Sequence, residues 1–124
     1  LLHEQKFAEA LVELRISIEQ DPADLEALQS LAGALRRTGE EEEARSILQL
    51  YRQIRSAKDS LEKNQASYRV QPNNRTVQEK IIRALITLGR FGQAERQLEL
   101  RQRKFPDDPR QQGLIRLLTE ARTQ

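Results

Sequence analysis

Two glycines, Gly39 and Gly89, each close a helical apolar stripe and each stand five residues before an alanine, Ala44 and Ala94. Leu28, Leu31, Ala32 and Leu35 precede the first at the three- and four-residue spacing of one helix face, and Gln78, Ile81, Ile82 and Leu85 precede the second in the same way. Such a stripe is buried by packing its helix on a neighbour, and a glycine suits a helix end that needs φ > 0. This pattern restricts the chain to helix-turn-helix pieces used more than once. Composition agrees, since Leu, Ala, Glu, Gln and Arg dominate and all favour helix, with only five Gly and four Pro. No β-branched run alternates with period two, which argues against a sheet.

The N-terminal stretch carries a third, partial copy. Superimposing Ala10 on Ala44 gives an offset of 34 residues, places Leu14 over Leu48, and leaves "DPAD" at 21–24 to close the first unit. Ala44 to Ala94 is 50 residues, one 34-residue period plus 16. The three alanines mark places where two helices approach closely while Leu and Ile ridges fill the remaining space. "DP" at 21–22 and "DDP" at 107–109 read as a carboxylate cap before a proline at the first helical position. Glu40 to Glu43 fall in the first turn of a helix, where they complement its dipole. An ordinary antiparallel helical bundle is the alternative, but a bundle has no need of a fixed 34-residue offset.

The period and the order of small residue, glycine and proline resemble the tetratricopeptide repeat. The matching positions are Leu28, Leu31, Ala32, Leu35, Gly39, Ala44 and Leu48 in the middle copy, and Ile81, Ile82, Leu85, Gly89, Ala94, Leu98 and Pro106 in the last. The first copy keeps only its second helix, at Phe7, Ala10, Leu14 and Pro22. Gln78 stands where the family has a large aromatic or leucine, Ile82 where it has a small residue, and Leu35 and Leu85 where it has tyrosine. The resemblance implies an all-α fold of antiparallel helix-turn-helix repeats stacked as a short solenoid with one elongated helix. Residues 1–124 form one domain on this reading: 1–22 a partial repeat, 23–72 a repeat whose second helix is extended by about 16 residues, 73–108 a repeat, and 109–124 a capping helix. Leu114, Ile115, Leu117 and Leu118 of that cap are expected to cover the last unit. "LLHEQKF" begins mid-unit and reads as a cut edge, preceded by a first helix or packed on a partner.

The sixteen extra residues continue an apolar slot at heptad-like spacing through Ile47, Tyr51, Ile54, Lys58, Leu61, Gln65 and Tyr68. One helix from about Glu40 to near Tyr68 satisfies it; a break near Lys58 to Ser60 with a short extra helix is the alternative. The insertion separates two half-units and is expected to bend the superhelix. It serves either as local elaboration or as a coiled-coil-like surface for self-association.

Several function classes find no support. The chain has no Cys and one His, His3, without a partner at metal-ligand spacing, so no thiolate, metal or cofactor chemistry is expected. The "EEEE" run reads as a helix start rather than an acid–base pair, which needs two carboxylates facing across a cleft. The five glycines are scattered singly and form no phosphate loop. An enzyme is therefore not expected. No apolar run reaches the length of a membrane span, and compartment stays open. Residues 1–74 carry ten Lys/Arg against thirteen Asp/Glu, whereas 75–124 carry eleven against six. The C-terminal arginines are interspersed with Gln and Glu at surface spacing, a solvated face with a basic bias rather than a nucleic-acid track.

By position, the resemblance implies a concave groove lined by the first helices of successive units. Glu26, Gln29, Gly33, Arg36 and Arg37 would face it from the middle copy, and Thr76, Glu79, Lys80, Arg83 and Thr87 from the last. Four of these are basic, which suits an acidic segment or a C-terminal carboxylate held by arginine forks. Gln29, Ser30 and Gly33 do not supply the Lys and Asn pairing of the chaperone-tail-binding subclass, and Gly33 leaves the groove floor open. The expected function is a non-catalytic protein-interaction scaffold; the alternative is a structural element that self-assembles into homo-oligomers.

Overall fold

The computed structural model describes residues 2–124, with side chains from Gln5 onward. The described residues form six α-helices: α1 (Leu2–Gln20), α2 (Leu25–Arg37), α3 (Glu41–Val70), α4 (Arg75–Thr87), α5 (Phe91–Lys104) and α6 (Gln111–Arg122). The expectation of an all-helical chain holds for these residues. The chain divides inside α3 into two compact units, one reaching to Arg55 and the other starting at Ser56.

In the first unit α1 packs on α2 across a four-residue turn. Leu31, Leu35 and Ala44 form its core, and Leu11, Leu14, Ile18 and Ile47 pack against them. Asp24, with extended backbone, caps α2 by accepting the Ala27 N–H at 3.1 Å. Asp21 does not take the capping role expected of it. Its own N–H is still bonded to the Ser17 carbonyl at the end of α1, and its carboxylate accepts the Ala23 N–H inside the turn. Pro22 therefore lies within the turn, two residues ahead of the real cap.

The helix ends are set by the two glycines. Gly39 and Gly89 have φ of +84° and +74°, and no other described residue has positive φ. Around each, the residue after the glycine donates its N–H to the carbonyl five positions back (Glu40 to Leu35 at 2.9 Å, Arg90 to Leu85 at 2.8 Å). The glycine N–H meets the carbonyl three back, which completes a Schellman motif in both copies. A three-residue connection then starts the next helix, whose buried alanine (Ala44 or Ala94) comes on its fourth residue.

In the second unit α4 packs on α5, and α6 packs on both. Asn74 caps α4 as Asp24 caps α2, accepting the Val77 N–H at 3.1 Å. Ile82 and Leu114 are closed off almost completely, and Leu118 lies with them on the buried row of α6. Of the expected covering residues of the cap, Ile115 and Leu117 are only half-buried. Asp108 partly keeps its expected role: one oxygen accepts the Arg110 N–H at 3.1 Å. Regular helix starts at Gln111 rather than at Pro109, because the other oxygen of Asp108 is held by the buried Arg101 at 2.5 Å.

Helix α3 runs without a break through Lys58 to Ser60. Its buried seam departs from the heptad slot: Ile54, Ala57, Leu61 and Asn64 are buried, while Lys58 is half-buried and Gln65 exposed. The buried positions themselves repeat at seven, Ile54 with Leu61 and Ala57 with Asn64, so the seam keeps the period of the slot and differs in which of two neighbouring residues it shelters. Asn64 is tolerated there because its amide donates to the Ser60 carbonyl at 2.7 Å. The sheltered positions of α1 (7, 10, 11, 14, 17 and 18) recur at 57, 60, 61, 64, 67 and 68. The inserted part of α3 thus repeats the burial pattern of α1, and helix starts, caps and glycines recur with the same spacing of 50.

Candidate functional site

Burial decides which side of α2 and α4 remains available. On α2 the row Ala27, Leu28, Leu31, Ala32 and Leu35 faces inward. Glu26, Gln29, Gly33, Arg36 and Arg37 are left exposed. A Cβ added at Gly33 would meet nothing within 4 Å, so the helix surface is open there. The Arg37 guanidinium lies 5.9 Å from the Phe7 ring centre, a cation–π distance that fixes its direction along α1. Arg36 has no ion pair among the described residues.

On α4, Thr76, Lys80, Arg83 and Thr87 are exposed, whereas Glu79 is buried. One guanidinium nitrogen of Arg110 reaches both Glu79 oxygens at 3.1 and 3.0 Å, and Arg83 Nε stands 3.7 Å away. Glu79 therefore anchors the start of α6 to α4 instead of facing open solvent. The sequence did contain a sign of this. Gln29 and Arg36 of α2 correspond, 50 residues on, to Glu79 and Ile86, so α4 carries a second apolar row at Ile82 and Ile86. Both isoleucines are buried, consistent with the α4–α6 packing.

A second polar anchor lies beside Thr76. Arg101 is 1% exposed, donates Nε to Asp108 and donates Nη1 to the Arg75 carbonyl at 2.8 Å. The Arg75 guanidinium stacks 3.8 Å from the centre of the Phe105 ring. Burial by itself would raise the Asp108 pKa, but the Arg110 N–H and the Arg101 guanidinium outweigh it and hold the carboxyl below the ordinary aspartate range. Arg101 was not singled out as a site residue, although it continues the buried row of Ala94 and Leu98.

These pairings give the α4 side a one-sided electrostatic character. A cavity of about 340 Å³ is lined by Arg75, Thr76, Glu79, Arg101, Asp108 and Arg110, and both of its carboxylates are already paired with arginines. Lys80, Arg83 and Arg110 remain exposed around it. Nothing in this arrangement pairs an acid with a base across a cleft. Among the described residues no group of three His, Cys, Asp or Glu side chains is placed to hold a metal ion, and no helix is long and apolar enough to cross a membrane. The His3 side chain lies outside the described residues.

The sequence model of the family described as Tetratricopeptide repeat matches residues 1–60. This segment is similar to tetratricopeptide-repeat sequence. The repeat assignment takes in α1, α2 and the part of α3 up to Ser60, and with it the α2 face from Glu26 to Arg37. No curated protein and no solved structure matches the chain.

Proposed function

We propose that the chain is a non-catalytic protein-interaction module, a short repeat solenoid that binds an acidic peptide segment on the exposed faces of α2 and α4. In this reading the repeats extend beyond residue 60, with 23–72 and 73–108 as successive units and 109–124 as their cap. The observation that carries it is the charge state of these faces. Arg36, Arg37, Lys80 and Arg83 are exposed, and Glu79, the acid among the residues expected to face the ligand from α4, is neutralised by Arg110. A carboxylate arriving there meets cations without displacing a buried pair. Arginine forks give such contacts direction as well as charge.

The reading is tested with a fluorescent peptide rich in Asp and Glu, with interspersed Leu and a free C-terminal carboxylate, followed by anisotropy. Reversing Arg36, Arg37 and Arg83 to Glu removes charge-assisted bonds of about 1.5–3 kcal/mol each. Affinity is expected to fall at least about tenfold, or about 1.4 kcal/mol. Equal affinity of the triple variant and the wild type, or no binding by either, would contradict the proposal.

A further inference from the structure

Four large hydrophobic side chains are exposed among the described residues: Val12 (58%) and Ile16 (48%) on α1, Val70 (80%) at the end of α3, and Leu100 (46%) on α5. The α1 pair lies one helical turn apart on the outer side of the helix. Glu9, Glu13 and Glu19 flank it, all exposed and none in an ion pair among the described residues. Val70 and Leu100 belong to the second unit. Leu100 lines a groove of about 540 Å³ between the last turns of α3 and the stretch of α5 from Gln93 to Leu100, with Ile81 and Leu85 of α4 also lining it. Arg69 and Arg96 stand on its two sides and no carboxylate lines it. Val70 follows Arg69 directly, and Lys104 ties the end of α5 to the turn after α3 through the Pro72 carbonyl at 3.1 Å. On a helical projection Ile81 and Leu85 point away from Lys80, Arg83 and Thr87, so this groove is not the α4 face proposed above.

The two patches are opposites in charge and alike in kind. Each is an apolar surface with a charged rim: on α1 the unpaired charges are acidic, since the neighbouring Arg15 is taken up by Glu43, and on the groove they are basic. The same polarity holds across the units: residues up to Arg55 carry seven Lys/Arg against eleven Asp/Glu, and those from Ser56 carry fourteen against eight. One chain therefore presents both halves of a complementary contact, which points to a second copy as the occupant rather than an unrelated protein. We propose that copies associate head to tail, the α1 face at Val12 and Ile16 of one copy seated against the α3–α5 groove at Leu100 of the next. The glutamates of α1 face Arg69 and Arg96 in this contact, and Val12 and Ile16 cover Leu100. The two surfaces differ, so the contact is heterologous and leaves one of each kind free for further growth or ring closure. The charges steer and orient the encounter, and salt weakens it.

Sedimentation velocity and light scattering on the full chain read this directly. The mass should rise with concentration above the 14.4 kDa of one copy at low salt, and fall back in about 0.5 M salt. Val12→Arg/Ile16→Arg and Arg69→Glu/Arg96→Glu should each be monomeric, with circular dichroism unchanged because all four positions are exposed. Mixing the two variants is the deciding arm. Each keeps the surface that the other has lost, so together they should form a one-to-one complex that grows no further. A monomeric wild type at every concentration, variants that still associate, or a mixture that forms no complex would overturn the proposal.

Discussion

Replacing Asp108 by alanine tests how the second unit holds α5, α6 and the turn between them. Arg101 is closed off from solvent, and its charge is balanced by one carboxylate, with the Arg75 carbonyl as its second partner. The alanine leaves that guanidinium buried with only the carbonyl. Breaking a buried pair from one side costs about 3–5 kcal/mol. Asp108→Asn keeps an acceptor oxygen but no charge and should cost about 1.5–3 kcal/mol. Arg101→Met with Asp108→Ala removes both charges and should recover most of the loss, since apolar replacement of a buried pair is often near neutral. Urea unfolding followed by far-UV circular dichroism measures all three. The pH dependence carries the same signature. The folded Asp108 carboxyl is held below its ordinary pKa, so its stabilisation is fully present above about pH 4 and is lost as pH falls through the lower folded value. The gap between wild type and Asp108→Asn should therefore narrow below about pH 4. An alanine variant within about 0.5 kcal/mol of wild type, or a double variant as unstable as the single, would refute the reasoning.

Other perturbations separate the roles of residues that look alike in sequence. Gly39→Ala and Gly89→Ala should each cost about 1–2 kcal/mol, because both need positive φ. Gly33→Ala should instead stabilise by about 1 kcal/mol, because that position is helical with open space around it. If the peptide lies over Gly33, the same methyl also weakens binding of the acidic probe. Leu61→Ala should cost about 2–4 kcal/mol, and Gln65→Ala less than about 0.5 kcal/mol, in thermal or urea unfolding. Comparable losses at the two positions would contradict the seam assigned to α3. Reversing the exposed Arg15–Glu43 pair should leave the melting temperature within experimental error at physiological salt.

What could be read from the sequence follows from what single residues encode. Gly39, Gly89, Ala44 and Ala94 announce a backbone or close-approach requirement that few other residues meet, and the helix ends and buried alanines stand where they indicate. The inward rows of α2 and α4 were equally legible, because periodicity alone fixes a face. The α3 seam differs at Lys58 and Gln65, where the preceding Ala57 and Asn64 are the buried ones; an apolar-spacing rule does not select a small alanine or a polar asparagine. Glu79 and Arg101 were harder. Periodicity assigns a charge to solvent, and only the arrival of α6 or the 105–108 turn supplies the partner that lets it be buried. Two hints were present: Ile82 with Ile86 as a second apolar row, and Arg101 in line with Ala94 and Leu98. The caps show a related limit, since "DPAD" offers two carboxylates and only the turn geometry selects Asp24.

The interaction face itself is most directly tested by amide chemical-shift mapping. The acidic peptide is titrated into the Val12→Arg/Ile16→Arg variant, which is designed to remain monomeric. Binding on the α2 and α4 faces predicts that the largest shifts fall on Gly33, Arg36 and Arg37 and on Lys80, Arg83 and Thr87. Shifts confined to Arg69, Arg96 and Leu100, or none at saturating peptide, would contradict it.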